Sequence, residues 1–251
     1  MNKACRWLFI ISILLGANAA APAVEFPEVM LIVDSSGSMA GLAGGQTKMD
    51  AAKAVLKTVV PDVPAEVKMG LAVYGRRASN DCSDVELLME PGGSDRAVLL
   101  SRALDVQPLG MTPISLAITQ VAEAVKLRKA ETTVVLVSDG KETCGGDPCA
   151  AVRALKAAGA TFILHVVGFD VTAEEKMQLA CLAEAGGGQY FSAADQASLL
   201  AALQAVNKEV AAKVEKARSV VVKGQTGLGK LRLMAPESAL KSLSGLKLVR
   251  K

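Results

Sequence analysis

The chain predicts an α/β fold, a doubly wound and mostly parallel six-stranded sheet with one antiparallel edge strand and helices on both faces. Three observations predict it. Short apolar runs alternate with stretches of helical period along most of the 251 residues, the order that covers a parallel sheet on both sides. Residues 29–33 are apolar without alternation and end abruptly at Asp34 in a Ser-Gly turn, as a strand buried on both faces does. Hydrophobic residues make up 51% of the chain, enough to fill one such core, whereas 3% aromatic residues leave few platforms for stacking bases or sugars.

Residues 1–23 carry Lys3 and Arg6, an apolar stretch from Trp7 to Leu15, and then Ala17-Asn18-Ala19-Ala20-Ala21. That is the three-part pattern of a secretory signal peptide, with cleavage expected after Ala19, and its apolar core is too short to span a bilayer. Cys5 sits in the charged leader and no cysteine follows the apolar stretch, which argues against a lipid-modified cysteine. The mature protein is therefore expected to be exported to the periplasm or beyond, without a transmembrane span. The expected organisation is a signal peptide over 1–19, an α/β domain over 25–217, and a basic β-rich extension over 218–251 that a truncation could have left incomplete.

Within the domain, the Gly-rich stretch 41–45 leads to a helix near 47–60, with Ala51, Ala52, Val55, Leu56 and Val59 on one stripe and Pro61 and Pro64 as its stop. Residues 68–74 read as the second strand and 85–89 as the third. No crossover helix fits between those two, so the third should run antiparallel at the sheet edge. Helices near 95–104 and 113–129 follow, then a fourth strand over 132–138. Pro148 marks the start of a helix that Gly159 ends, and a fifth strand covers 161–167. Thr172 caps a helix over 173–185, with Glu174 and Glu175 in its favourable first turn. Gly186-Gly187-Gly188 breaks it, 189–192 form a sixth strand, and 195–217 an Ala-rich helix. Residues 219–223 and 229–234 have strand composition around a Gly-rich turn.

The chemistry collects at the ends of the first and fourth strands. Asp34, Ser36 and Ser38 would stand at the rim where open α/β sheets bind ligands. Thr112 lies in Gly110-Met111-Thr112-Pro113 before a helix, and Asp139 ends the fourth strand. Each could serve only as a turn or cap residue. The D-x-S-x-S spacing of Asp34, Ser36 and Ser38, with Thr112 and Asp139 in order behind it, resembles the metal-ion-dependent adhesion site of the von Willebrand factor A domain family, as in integrin inserted domains. The resemblance covers about residues 25–217. It implies that Ser36, Ser38 and Thr112 ligate a divalent cation, that Asp34 and Asp139 ligate it or hold its waters, and that one position stays open for water or a partner's Asp or Glu. Magnesium suits such an oxygen set, manganese could substitute, and calcium would need relaxed loops. The implied function is cation-dependent protein binding in the cell envelope, without catalysis and without a nucleic-acid partner. A scaffold subunit with a purely structural metal is the alternative, followed by a metal-assisted hydrolase.

Four cysteines remain after cleavage: Cys82, Cys144, Cys149 and Cys181. An even number in an exported chain favours two disulfides. Cys144 could pair locally with Cys149, or Cys82 with Cys144 and Cys149 with Cys181. Cys144 and Cys149 follow Asp139 closely, so a disulfide there is expected to fix the metal loop. Zinc fits poorly, because the spacings match no usual ligand pattern and His165, the one histidine, lies inside a strand. Three further motifs read more simply as structure. Residues 224–230 match the G-x-x-x-x-G-K frame of a phosphate-binding loop, but Leu231 stands where a magnesium-binding hydroxyl belongs and a strand-like segment follows. A hydrolytic Ser36 or Ser38 would need a base that a mid-strand His165 does not supply. The tail from 218 carries eight Lys or Arg against one Glu, net +7 within an overall +3; solvated lysines on a small β unit explain it more simply than contact with an acidic partner, membrane phosphate or nucleic acid.

Overall fold

A computed structural model describes residues 25–233; the leader with its cleavage site and residues 234–251 lie outside the described residues. In chain order the elements are β1 (Glu28–Asp34), a 3-10 turn (Gly37–Ala40), β2 (Leu42–Ala43), β3 (Gln46–Thr47), α1 (Lys48–Asp62), β4 (Lys68–Tyr74) and β5 (Val85–Gly93). They continue as α2 (Arg96–Asp105), α3 (Ile114–Val125), β6 (Thr132–Ser138), α4 (Pro148–Ala157), β7 (Ile163–Phe169), α5 (Ala173–Ala185), β8 (Gly187–Ala193) and α6 (Gln196–Leu233). Six strands form one sheet in the order β5-β4-β1-β6-β7-β8, and β2 with β3 makes a separate small hairpin.

The pairing follows from the connections. β1 pairs in parallel with β4 and β6, β6 with β7 and β7 with β8, each across a helix-bearing crossover. β5 follows β4 with no helix between and pairs antiparallel at the edge, as expected. Side chains alternate across β1. Val29, Leu31 and Val33 join the core under α1, α2 and α6, while Met30 and Ile32 join the core under α3, α4 and α5. Every residue of β1 is buried, which is why its sequence shows no polar alternation. Each fully buried Val, Leu or Ile adds roughly 1.5–3 kcal/mol of transfer free energy.

Most helices begin on a side chain that satisfies an otherwise orphaned amide. Thr47 accepts from Asp50 N, Asp95 from Val98 N and Asp147 from Ala150 N. Thr172 and Glu175 form a reciprocal capping box.

Several expectations shift. Pro61 lies inside the last turn of α1 instead of stopping it. α3 ends at Val125, and Gly187 and Gly188 belong to β8 instead of a loop. α6 continues to Leu233 through the segments read as strands at 219–223 and 229–233, so the Gly-rich 224–230 stretch is neither a phosphate loop nor a hairpin. A short apolar run cannot be told from helix by period alone, and a helix already nucleated extends at little cost per residue. Cys82 is bonded to Cys144 and Cys149 to Cys181, with Cα separations of 5.6 and 5.8 Å; the local Cys144–Cys149 pairing is not made. His165 is a buried β7 residue whose Nδ1 accepts from Gln189 N, as a core histidine would be. No helix among the described residues is long and apolar enough to cross a membrane.

Candidate metal centre

β1 ends between β4 and β6, and the loops after all three strands converge there. Asp34, fully buried, is the hub. Its Oδ1 accepts from Ser36 N at 2.8 Å and Ser36 Oγ at 2.5 Å, and its Oδ2 accepts from Tyr74 OH at 2.8 Å and Ser138 Oγ at 2.7 Å. Ser38 Oγ donates to Asp139 Oδ1 at 2.7 Å. Lys48, the first residue of α1, donates to the other Asp139 oxygen at 3.1 Å and lies 3.4 Å from the Asp170 carboxylate.

Ser36 Oγ, which reaches Asp34, and Ser38 Oγ, which reaches Asp139, lie 3.0 Å apart, within hydrogen-bonding distance of each other. Two hydroxyls and two carboxylates thus run as one short chain of oxygens. A converging set of oxygen donors suits a hard divalent cation.

The electrostatics agree. Burial, and then the charge of Asp139, push the Asp34 carboxyl up to about 6, against the opposing hydrogen bonds from Ser36 and Ser138. Burial and the neighbouring Asp34 charge likewise hold the Tyr74 phenol well above its ordinary value. For Lys48, burial favours the neutral amine, but Asp139 and then Asp170 outweigh it and keep the ammonium more firmly charged than usual.

Of the five residues expected from sequence, Asp34, Ser36, Ser38 and Asp139 form one continuous hydrogen-bonded group. Thr112 is buried beside it, and its hydroxyl makes no hydrogen bond to the other four among the described residues. Its loop is nonetheless stitched to the D-x-S-x-S turn: Gly37 N donates to Gly110 O at 2.9 Å and Leu109 N to Ser35 O at 3.0 Å. Ser36 and Gly110 form an isolated parallel bridge. The approach is close enough to require glycine. A side chain at Gly75, where φ is +74°, would run into Met111 O and Ser36, and one at Gly110 into Ala78 O.

Sequence reasoning missed Tyr74, Ser138, Lys48 and Thr143, whose Oγ1 accepts from Thr112 N at 2.8 Å. The first two had a signal. Ser138 ends a strand next to Asp139, and Tyr74 ends the strand that pairs with β1, opposite Asp34. Lys48 and Thr143 act through loop contacts that spacing does not encode.

Comparison with known proteins adds to this geometry. A family model for the von Willebrand factor type A domain matches residues 29–142, a span that includes all five oxygen-bearing residues. The uncharacterized protein YwmD of Bacillus subtilis (strain 168) is 32% identical over 176 residues, 66% of this chain and 78% of that protein. Among solved structures, the pilus adhesin SpaC of Lactobacillus rhamnosus GG superposes with a TM-score of 0.62 at 14% identity, covering 75% of this chain. The chain spans only 31% of that adhesin's length. Proximal thread matrix protein 1 of the mussel byssus, solved with a zinc-occupied metal-ion-dependent adhesion site, superposes with a TM-score of 0.55 at 15% identity, covering 74% of this chain and 46% of that one. At such identities the likeness is one of fold.

Proposed function

The chain belongs to the von Willebrand factor type A domain family, and we propose that it is an exported, divalent-cation-dependent protein-binding module that recognises an acidic group of a partner. The observation that carries this reading is the convergence of the Ser36 and Ser38 hydroxyl oxygens, 3.0 Å apart, between two buried carboxylates of which Asp139 alone is paired with a lysine. The donor set is all oxygen, which fits magnesium or manganese better than a thiolate-seeking metal. Asp34, Ser36, Ser38, Thr112 and Asp139 would hold the ion, and the ion would supply a coordination position for a guest carboxylate. Meanwhile Lys48 fixes the outer oxygen of Asp139, so that Oδ1 stays with Ser38.

The surface character of the pilus adhesin and the metal-loaded adhesion site of the byssus protein support the same reading by analogy. Among the described residues no serine has a histidine partner for acyl transfer: the His165 ring lies in mid-strand β7 against Phe191, with Glu209 of α6 beside it. That arrangement favours binding over catalysis.

The test is magnesium titration by calorimetry, then capture of envelope proteins in magnesium against chelator, with circular dichroism to check folding. A binding module takes up magnesium and loses its partner in chelator while remaining folded. An ion that serves only to stiffen the loops would leave capture unchanged and lower the melting temperature on removal. Absence of magnesium and manganese binding would end the reading.

A further inference from the structure

We propose that Thr143 is a positioning residue for Thr112, and that the Cys82–Cys144 bridge, unlike Cys149–Cys181, clasps the loop carrying Thr112 into the metal centre. The consequence for metal affinity rests on the function proposed above, whereas the clasp itself is a property of the protein without metal.

Residues 106–113 connect α2 to α3 with no regular structure beyond the single bridge at Gly110. Buried backbone groups in such a segment need partners from elsewhere, and they find them on two sides. On one side, Gly75 O accepts from Gly110 N at 2.7 Å and from Leu109 N at 3.2 Å. On the other, Thr143 Oγ1 accepts from Thr112 N at 2.8 Å, and Thr143 N donates to Thr112 O at 3.2 Å. The pairing is reciprocal. Because Thr143 satisfies the Thr112 amide, the Thr112 side chain has no local backbone duty.

The flanking residues of Thr143 reinforce the same junction. Glu142 Oε2 accepts from Ser115 N at 2.8 Å, serving the start of α3, which has no cap of its own. Glu142 Oε1 accepts from Cys144 N at 2.9 Å, and Gln178 Oε1 accepts from Glu142 N at 2.8 Å.

The disulfide closes the ring. Gly75 and Cys82 belong to the loop between β4 and β5, and Cys144 is the neighbour of Thr143. The Cys82–Cys144 bond therefore joins the two loops that grip the Thr112 segment from opposite sides. The first loop is internally braced, with Asp84 accepting from Arg77 N at 2.6 Å and Ala78 N at 3.2 Å while Gly75 N donates to Asp84 O at 3.0 Å. A braced loop passes a constraint on instead of absorbing it. The Cys149–Cys181 bridge, in contrast, joins α4 to α5, and neither cysteine is next to a residue bonded to Thr112.

The experiment reads amide hydrogen exchange at Thr112 in metal-free protein, magnesium affinity by calorimetry, and melting temperature. Thr143→Val removes the acceptor at constant shape; it should speed Thr112 exchange and weaken magnesium about tenfold, as loss of a supporting hydrogen bond to a metal ligand does. Thr143→Ser should restore both. C82S/C144S should reproduce the Thr143→Val phenotype, whereas C149S/C181S should lower the melting temperature yet leave Thr112 exchange and magnesium affinity near wild type. Unchanged exchange at Thr112 in Thr143→Val, or equal effects of the two double variants, would overturn the proposal. If C82S/C144S fails to fold, Thr143→Val and its serine rescue still decide it. If the wild type binds no magnesium while Thr112 exchange responds as stated, the clasp stands and only the metal reading falls.

Discussion

The two ends of β1 treat their acidic residues in opposite ways. At the amino-terminal end, buried Glu28 pairs with Arg128, and the more exposed Glu66 and Glu131 pair with Arg218 and Lys213. At the carboxyl-terminal end, Asp34 is fully buried with no cation against it among the described residues, and only its neighbour Asp139 pairs with Lys48. Asp34 is held by a backbone amide and three hydroxyls, and burial still wins, raising its proton affinity. Glu66, at the other end, is moved in the opposite sense by its hydrogen bond to Arg218. The contrast teaches that one end is finished with cations of the chain, while Asp34 at the other meets hydrogen-bond donors alone, an arrangement that suits the proposed ion.

The sharpest way to break that contrast is Asp34→Asn. In the wild type, magnesium at a hundred times its dissociation constant should add about 2.7 kcal/mol of stability by mass action, and melting in magnesium against chelator reads it. The variant should show no magnesium-dependent shift, and a shift that persists would sever the charge contrast from metal binding. Tyr74→Phe comes next. It withdraws a hydroxyl from Asp34 Oδ2 and should cost about 1.5–3 kcal/mol by denaturant unfolding, the range for a hydrogen bond to a charged group. At the finished end, Glu28→Gln should cost about 1 kcal/mol or less, because its partner Arg128 remains partly in water, and the magnesium shift should be untouched.

The smallest effect concerns His165 in the middle of the sheet. Burial lowers its affinity for a proton, against the pull of Glu209 and with help from Lys213. The folded chain then binds that proton less readily than the unfolded chain. The stability involved is complete above the ordinary value near 6.5 and declines as pH falls below it. His165→Gln should flatten that acid limb in a pH series of melts. An unchanged limb would place the loss elsewhere.

Much of this was legible in advance. The bounds 68–74 and 132–138 agree with β4 and β6: the β-branched run of β6 favours a strand outright, and β4 is a short apolar run bounded by turn residues. Asp34, Ser36, Ser38 and Asp139 were legible because strand ends present them. Tyr74 and Ser138 were hidden, since their role depends on the register that sets Asp34 opposite Tyr74. Lys48 and Thr143 depend on loop contacts across 91 and 31 residues, distances over which local pattern carries no information. The course of α6 beyond 217 was misread because Val220–Val222 suits strand or helix alike.

One consequence follows from strand order. β1 is made first, but its carboxyl end is walled only when β4 and β6 lie on either side. A nascent chain therefore exposes Asp34 to water until about a hundred further residues have been synthesised, and Asp139, at the far wall, arrives last among the five oxygen-bearing residues. Ion capture would then mark the seating of β1 between β4 and β6, so that chains truncated before Asp139 remain blind to the cation.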